Sequence, residues 1–330
     1  MINKLYEIIK QNIKFIVFLV VLFLLFYVKL PFYIDTGGGI LNLNKRVSVD
    51  DRYESKGSFN LTYVSELDGN VIFVLFSLVN PNWDLIKKSD VVANNETIKE
   101  TNYRNKMLLN EANSCAHIVA FTKALKDIKI KKSDLYITYV DENSKTDLKI
   151  GDKIIKVDNK SYTKLELKNY ILSKSIGDKI NIEVENNNKK YNRIATIINL
   201  NNVPSIGIIL TEEYDIESNP KVTFKFKNSE SGPSAGLMTS LEIYNNLIKE
   251  DITKGKVISG TGTIDVDGTV GSISGVEYKL KAANKKADIF FVPNGDNYEE
   301  AIKLKKQNNY KIKIIGVSSF EEAIKYLKNN

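Results

Sequence analysis

The pattern of apolar and polar positions divides the chain into parts. Residues 15–28, FIVFLVVLFLLFYV, are apolar without a break; Lys29 interrupts the run and residues 30–34 continue it. About 20 apolar residues make one helical crossing of a bilayer if Lys29 snorkels to the interface, with Tyr27 and Tyr33 forming an aromatic belt. The expectation is one transmembrane helix over residues 15–34. A cleaved signal peptide needs a small-residue cleavage site, yet the first alanine is Ala93 and no cysteine precedes Cys115 to carry a lipid. An uncleaved anchor is therefore expected. Lys4, Lys10 and Lys14 precede the run, partly offset by Glu7, and Lys29 and Asp35 follow it. The positive-inside bias places residues 1–14 in the cytoplasm and the rest, beyond the anchor, outside the cell membrane.

After a glycine-rich exit at 35–39 (DTGGG), residues 57–66 alternate as a strand does, 68–70 form a turn, and 71–78 resume an apolar run that Pro81 ends just before Trp83. A helix is predicted over 103–126. Residues 135–140 read as a strand, 148–157 as a turn running into a strand, and 164–173 as a helix carrying Leu165, Leu167, Ile171 and Leu172. Strands follow at 179–185 and 191–198. Small residues at 231–238, SGPSAGLM, then open a helix with Leu237, Leu241, Tyr244 and Ile248 on one face. Residues 256–264 read as a strand, 267–268 as a turn, 269–273 as the returning strand, and Ser274-Gly275 as the entry to the helix VEYKLKAANKK. The alternation of strands and helices gives an α+β fold class.

Composition narrows the chemistry. The 330 residues allow two or three domains. The net charge of +7 comes from dispersed lysines that do not interleave with aromatics, so it reads as a solvated basic surface suited to an anionic membrane, and no nucleic-acid partner is expected. Cys115 and His117 are single representatives of their types, which leaves too few soft ligands for a zinc site. Two residues apart on a helix, they point to different sides. Cys115 joins the apolar stripe of Leu108, Ala112 and Val119 and reads as a core residue. No metal and no cofactor is expected. No G-x-x-x-x-G-K-[ST] phosphate loop occurs, so no ATP-driven motor accompanies the chain.

The sharpest chemical signal is Ser234. A serine at a helix start lies beside unpaired N–H groups and the positive end of the helix dipole, which can hold an oxyanion; an ordinary N-cap serine sits in the same place. Gly232, Ser234 and Gly236 also fit the G-x-S-x-G elbow, but that fold needs an acid and then a histidine after the serine, and no histidine follows Ser234. A nucleophilic Ser234 therefore needs another base, and lysine is the main substitute. Lys279 shares a helix face with Val276, Leu280 and Ala283, where it would lose its charge readily.

Taken in order, GPSAGLM, ISGTGTIDVDGTVGSISGVEYKLKAA and IFFVPNGDNYEEA resemble the proteolytic domain of the Lon family, from about residue 206 to the end. The resemblance implies a Ser-Lys dyad of Ser234 and Lys279, with Thr261 contacting the lysine and Gly232 and Ala235 supporting the serine. Ser231 stands where Lon proper carries an aspartate, and Ser274-Gly275 replaces a Gly-Gly pair. The stretch LKIGDKIIKVDNKSY, with its helix and the strand IGDKINIEV, resembles a bacterial PDZ domain, although residues 131–134 (KKSD) lack the usual carboxylate-loop glycine. That resemblance implies a peptide groove beside strand 135–140 against helix 164–173, lined by Leu135, Ile137, Leu167 and Ile171. The order of parts is similar to that of the membrane-anchored, PDZ-containing Lon-like peptidases of Gram-positive bacteria.

The expected architecture is a Lon-type proteolytic domain with an inserted PDZ-like domain, preceded by one transmembrane helix. Its segments are 1–14 cytoplasmic, 15–34 transmembrane, 35–126 the first part of the peptidase region, 127–202 the PDZ-like domain and 203–330 the rest of the peptidase. The implied function is ATP-independent cleavage of extracytoplasmic peptides or proteins by a serine endopeptidase, seated in the lipid bilayer through residues 15–34, with a homo-oligomer allowed. The competing reading is an inactive peptidase scaffold that presents a PDZ peptide-binding module at the membrane.

Overall fold

Pro31 decides how the N-terminal apolar run folds. Proline has no N–H to give to the carbonyl four residues back, its ring crowds that carbonyl, and the residue before it avoids the α region. In the computed structural model, which describes residues 2–92 and 96–330, helix α1 (Ile2–Gln11) is followed by α2 (Ile13–Tyr27), and Val28 closes α2 in an extended conformation. Strand β1 (Lys29–Asn42) begins at once. The single helix expected over 15–34 is thus split between a helix and a strand. At 1.5 Å per residue α2 is about 22 Å long, short of a hydrocarbon core about 30 Å thick. Among the described residues no helix is long and apolar enough to cross a membrane. Tyr33, expected in an aromatic belt, is instead buried in β1 with the Lys88 amine 4.6 Å from its ring centre. Met1, Ala93 and the side chain of Lys4, which entered the topology argument, lie outside the described residues.

Chain order continues with β2 (Val47–Val49), β3 (Ser58–Asn70), α3 (Val71–Ser77), β4 (Asp84–Lys87) and the short α4 (Lys88–Val91). Two compact units result: Met1–Gly38 with Val64–Ala93, and Gly39–Tyr63 with Asn94–Asn330. In the first, β1 pairs antiparallel with β4, Phe32 opposite Lys87. The apolar run at 71–78 becomes helix α3 because Asn70 caps it, its side chain accepting from the Phe73 N–H at 2.7 Å.

The second unit opens with α5 (Ile98–Ala124), started by a reciprocal capping box of Thr97 and Glu100 and ended by Leu125 in the left-handed region. An inserted module follows: β5 (Asp127–Val140), β6 (Lys145–Thr146), β7 (Lys153–Val157), α6 (Lys164–Leu172), β8 (Lys179–Asn186), β9 (Lys189–Thr196), β10 (Ile198–Leu200), β11 (Val203–Ser205) and β12 (Ile208–Asn219). Its sheet runs β12-β5-β7-β8-β9-β6, over a separate core that includes Ile137, Leu167, Ile180, Ile182 and Ile206. The sheet therefore extends past residue 202 to take in β12.

Strand β13 (Val222–Phe224) pairs with β2 and leads to α7 (Gly236–Leu247), whose residues are all buried and which packs along α5. Then β14 (Val257–Gly260), α8 (Val276–Asn284), β15 (Ile289–Pro293), α9 (Asp296–Gln307), β16 (Lys313–Val317) and α10 (Phe320–Asn329) alternate. β14 lies parallel between β3 and β15, with β16 beyond β15. Phe59, Leu237, Leu241, Ile258 and Phe291 fill the main core, which also takes Cys115 as a buried thiol. His117 turns to the Ser218 hydroxyl at 2.9 Å. The strand expected over 256–264 stops at Gly260, and the expected return over 269–273 forms only a bridge from Thr269 to Ser319. Beyond Gly260 the backbone leaves the sheet to meet the Ser234 turn.

Candidate active site

Ser234 lies in a single 3-10 turn, Pro233–Ala235, immediately before α7. Gly232 enters that turn at φ 92, a region that costs residues bearing a Cβ, and Pro233 presets the first turn position. The Gly232 N–H donates to the Asn105 carbonyl of α5 at 2.9 Å. A Cβ on Gly236 would meet the Ile264 side chain at 2.7 Å and its backbone N at 2.9 Å, so only glycine lets α7 approach this closely. Two bonds lock the turn to the end of β14: the Gly262 N–H donates to the Ser234 carbonyl at 2.9 Å, and the Leu237 N–H donates to the Gly262 carbonyl at 3.1 Å. Ala235 is buried, whereas Ser234 keeps part of its surface in solvent.

Lys279 sits on α8 beside Val276, Leu280 and Ala283, the apolar face read from the sequence, and only 5% of it is exposed. Burial pushes its amine from 10.5 down to about 8. The amine donates to the Thr261 hydroxyl at 3.3 Å, and that hydroxyl donates to the carbonyl of Ser234 at 3.3 Å. Thr261 is itself fully buried, its N–H bonded to the Phe291 carbonyl at 3.0 Å. The three predicted residues thus form one connected group, with Thr261 as the link. Among the described residues no direct hydrogen bond joins the Ser234 hydroxyl to the Lys279 amine. A neutral amine that donates one proton to Thr261 keeps its lone pair for a neighbouring hydroxyl.

The predicted peptide groove differs from expectation. Leu135, Ile137 and Leu167 are buried in the core of the inserted module, and Ile171 packs on that core half-buried. Strand β5 is paired along its length with β12, Ile137 opposite Leu210, and on its other side with β7 at Leu135 and Tyr136, opposite Ile154 and Lys153. The edge strand is β12. Its middle is already engaged, because the Glu212 N–H donates to the Glu111 carboxylate of α5 at 2.9 Å and Lys164 of α6 pairs with the same carboxylate at 2.7 Å. Residues 208–210 keep surface in solvent at this edge, whereas Thr211 is fully buried; the segment is entered through Gly207 at φ 69, whose N–H donates to the Ser205 hydroxyl at 2.9 Å. Helix α6 lies against β11, just before this point. No pattern in the sequence marked β12 as the edge. Nor did any mark Asn105, which acts through its backbone, or Glu242, a buried carboxyl on α7 that burial pushes up to about 7.

A cleft of about 690 Å³ opens elsewhere, lined by Glu96, Glu100, Asp141, Glu142, Lys149 and Arg193 among others, and neither Ser234 nor Lys279 borders it. Its lining is largely charged, as befits a solvated notch. Among the described residues no cluster of three or more His, Cys, Asp or Glu is placed to hold a metal ion.

No family model matches the chain, and no curated protein matches it. Among solved structures, the PDZ domain of an SdrC-like protein from Listeria monocytogenes is similar at 25% identity, over 25% of this chain and 92% of that one, with a TM-score of 0.23. The PDZ domain of an SdrC-like protein from Listeria innocua is similar at 28% identity, over 23% and 92%, with a TM-score of 0.22. At these scores the inserted module is described by its own topology.

Proposed function

We propose that the chain is an ATP-independent serine endopeptidase of the Lon-like kind, with Ser234 as nucleophile and Lys279 as general base. One observation carries this reading: a lysine buried to 5% exposure, with its amine pushed down to about 8, is tied through Thr261 to the residue that carries the nucleophile. Burying an amine costs stability, and a base poised near neutral pH is a function that would retain it. In the cycle the Ser234 proton passes to the Lys279 lone pair and Oγ attacks the peptide carbonyl. The resulting ammonium then gives its proton to the leaving amine as the C–N bond breaks. Lys279 next takes a proton from the water that attacks the acyl-enzyme and returns it to the Ser234 oxygen as the Oγ–C bond breaks. The N-terminal end of α7 offers a positive field for the oxyanion.

The inserted module serves as a PDZ-like peptide reader in this proposal. Peptide would add as a strand at residues 208–210 of β12 rather than along β5, since main-chain pairing needs an open edge. Helix α2, apolar and without a buried residue, would seat the protein in the cell membrane. A stretch this short is accommodated by local thinning of the bilayer and by Lys14 and Lys29 reaching its surface. The peptidase and its module would lie outside the membrane and residues 1–14 inside.

The competing reading, a non-catalytic peptide-binding scaffold, draws on the missing direct bond between Ser234 and Lys279. Labelling with a fluorophosphonate separates the two. Wild-type protein is expected to take up the label and lose peptide cleavage, and Ser234→Ala to take up none. A wild-type protein inert to the probe and to peptides would favour the scaffold.

A further inference from the structure

Helix α3 and the residues just after it form a second apolar element with an uncovered outer face. Leu75, Phe76, Leu78 and Val79 stand in solvent, the last two more than two-thirds exposed. Large clustered apolar side chains of this kind mark a contact surface. The helix packs against α2, and the contact is fixed by one residue: Asn70 caps α3 through its side-chain oxygen and donates through Nδ2 to the Phe26 carbonyl at the end of α2, at 3.1 Å. Trp83 closes the base of α3, with its ring 5.2 Å from Phe76 and 6.1 Å from Phe73. Ahead of the Asn70 cap, at the opposite end of α3 from Phe76, Lys29 and Lys88 both clamp Asp68, at 2.7 and 2.8 Å.

We infer that α3 and the residues after it, 71–79, lie in the same bilayer that receives α2, so that the protein rests on the membrane by two elements rather than one. This rests on the membrane reading of α2. The occupant is identified by how much must be covered. Helix α2 is apolar on every side and buries nothing, and a second copy or a partner protein would cover one face only, whereas lipid surrounds a helix. α3 continues that surface. The entry to α3, where the Lys29 and Lys88 amines meet Asp68, has the charge of an interface, and the Trp83 ring lies alongside the helix.

Trp83 is the one tryptophan of the chain, so its emission reports on α3 alone. The full-length protein is reconstituted into phosphatidylcholine–phosphatidylglycerol vesicles, with flotation measured beside fluorescence. Vesicles whose acyl chains are brominated are expected to quench Trp83, and acrylamide in the water to quench it little. Leu78→Glu with Val79→Glu should lessen the bromine quenching while flotation, held by α2, persists. If the protein floats but Trp83 answers only to acrylamide, this inference fails and the seating of α2 stands. If Trp83 is shielded from both quenchers, a protein contact covers α3 and the inference also fails. If the protein does not float at all, the membrane reading itself falls, and the inference with it.

Discussion

At the scale of single residues, the proposed mechanism turns on one amine. Lys279 must be neutral to accept a proton, and burial holds its amine at about 8. Peptidase activity should therefore rise with pH, falling about tenfold per unit below that midpoint. The same burial acts on stability with a definite sign. Below pH 8 both folded and unfolded chains carry the proton, and the fold bears the full cost of a buried ammonium. Between about 8 and 10.5 the unfolded chain binds more protons, so stability rises with pH. Lys279→Met should abolish cleavage yet raise stability at pH 7 by up to about 3 kcal/mol, a gain that vanishes above pH 10.5 in urea titrations; a folded Lys279→Met protein that still cleaves would refute the mechanism. Thr261→Val keeps the shape and removes the link. The Ser234 carbonyl retains the Gly262 N–H, so the turn should survive, while kcat drops about tenfold for the lost hydrogen bond. Its activity midpoint should also move lower, because the ammonium loses an acceptor; an unmoved midpoint would reduce Thr261 to packing. Ser234 and Lys279 were legible through the motifs around them, and the apolar face of Val276, Leu280 and Ala283 pointed to an amine that loses its charge readily, as burial makes it do; how far it is depressed was not legible. Nothing in residue type separates Lys279 from the other basic residues, and its state follows from three-dimensional burial against Val276, Leu280 and Thr261.

At the scale of elements, periodicity located most helices and strands of the inserted module, and Pro31 and β12 show where it stops short. Apolar counting alone carried the first run through Pro31, where backbone chemistry ends the helix. Strand β12, IILTEEYDIESN, is rich in charge, as edge strands are, so its alternation is weak and it went unread. That one strand relocates the peptide edge and lengthens the module. The pairing of β5 with β12 also shows how to remove the module cleanly. Ser133 lies opposite Tyr214, and Asp134 opposite Glu213. Replacing residues 134–213 by Asn-Gly would close the remaining strands as a two-residue hairpin. The shortened protein should fold, take up a serine-directed probe at the wild-type rate and cleave short peptides, but cleave an unfolded protein such as casein slowly. Equal rates on casein would remove any substrate-reading role for the module.

At the scale of the whole molecule, the chain carries both an apolar N-terminal helix and the linked group of Ser234, Thr261 and Lys279. No phosphate loop occurs in this sequence, and in the proposed reading cleavage without ATP is limited to exposed loops and extended segments. A location outside the cytoplasm suits that limitation, since substrates there meet no ATP-driven unfoldase. The lysines at residues 10 and 14 favour retention of the N-terminal end on the cytoplasmic side. The consequence is a definite pattern of protection. With a tag placed at each end, trypsin added to spheroplasts should remove the C-terminal tag and leave the N-terminal tag intact, while trypsin added after detergent should remove both. Protection of both tags, in cells where an outward-facing control is digested, would place the peptidase inside and reverse the orientation. Digestion of both would place the N-terminal end outside as well, as expected of a helix that enters the outer leaflet without crossing.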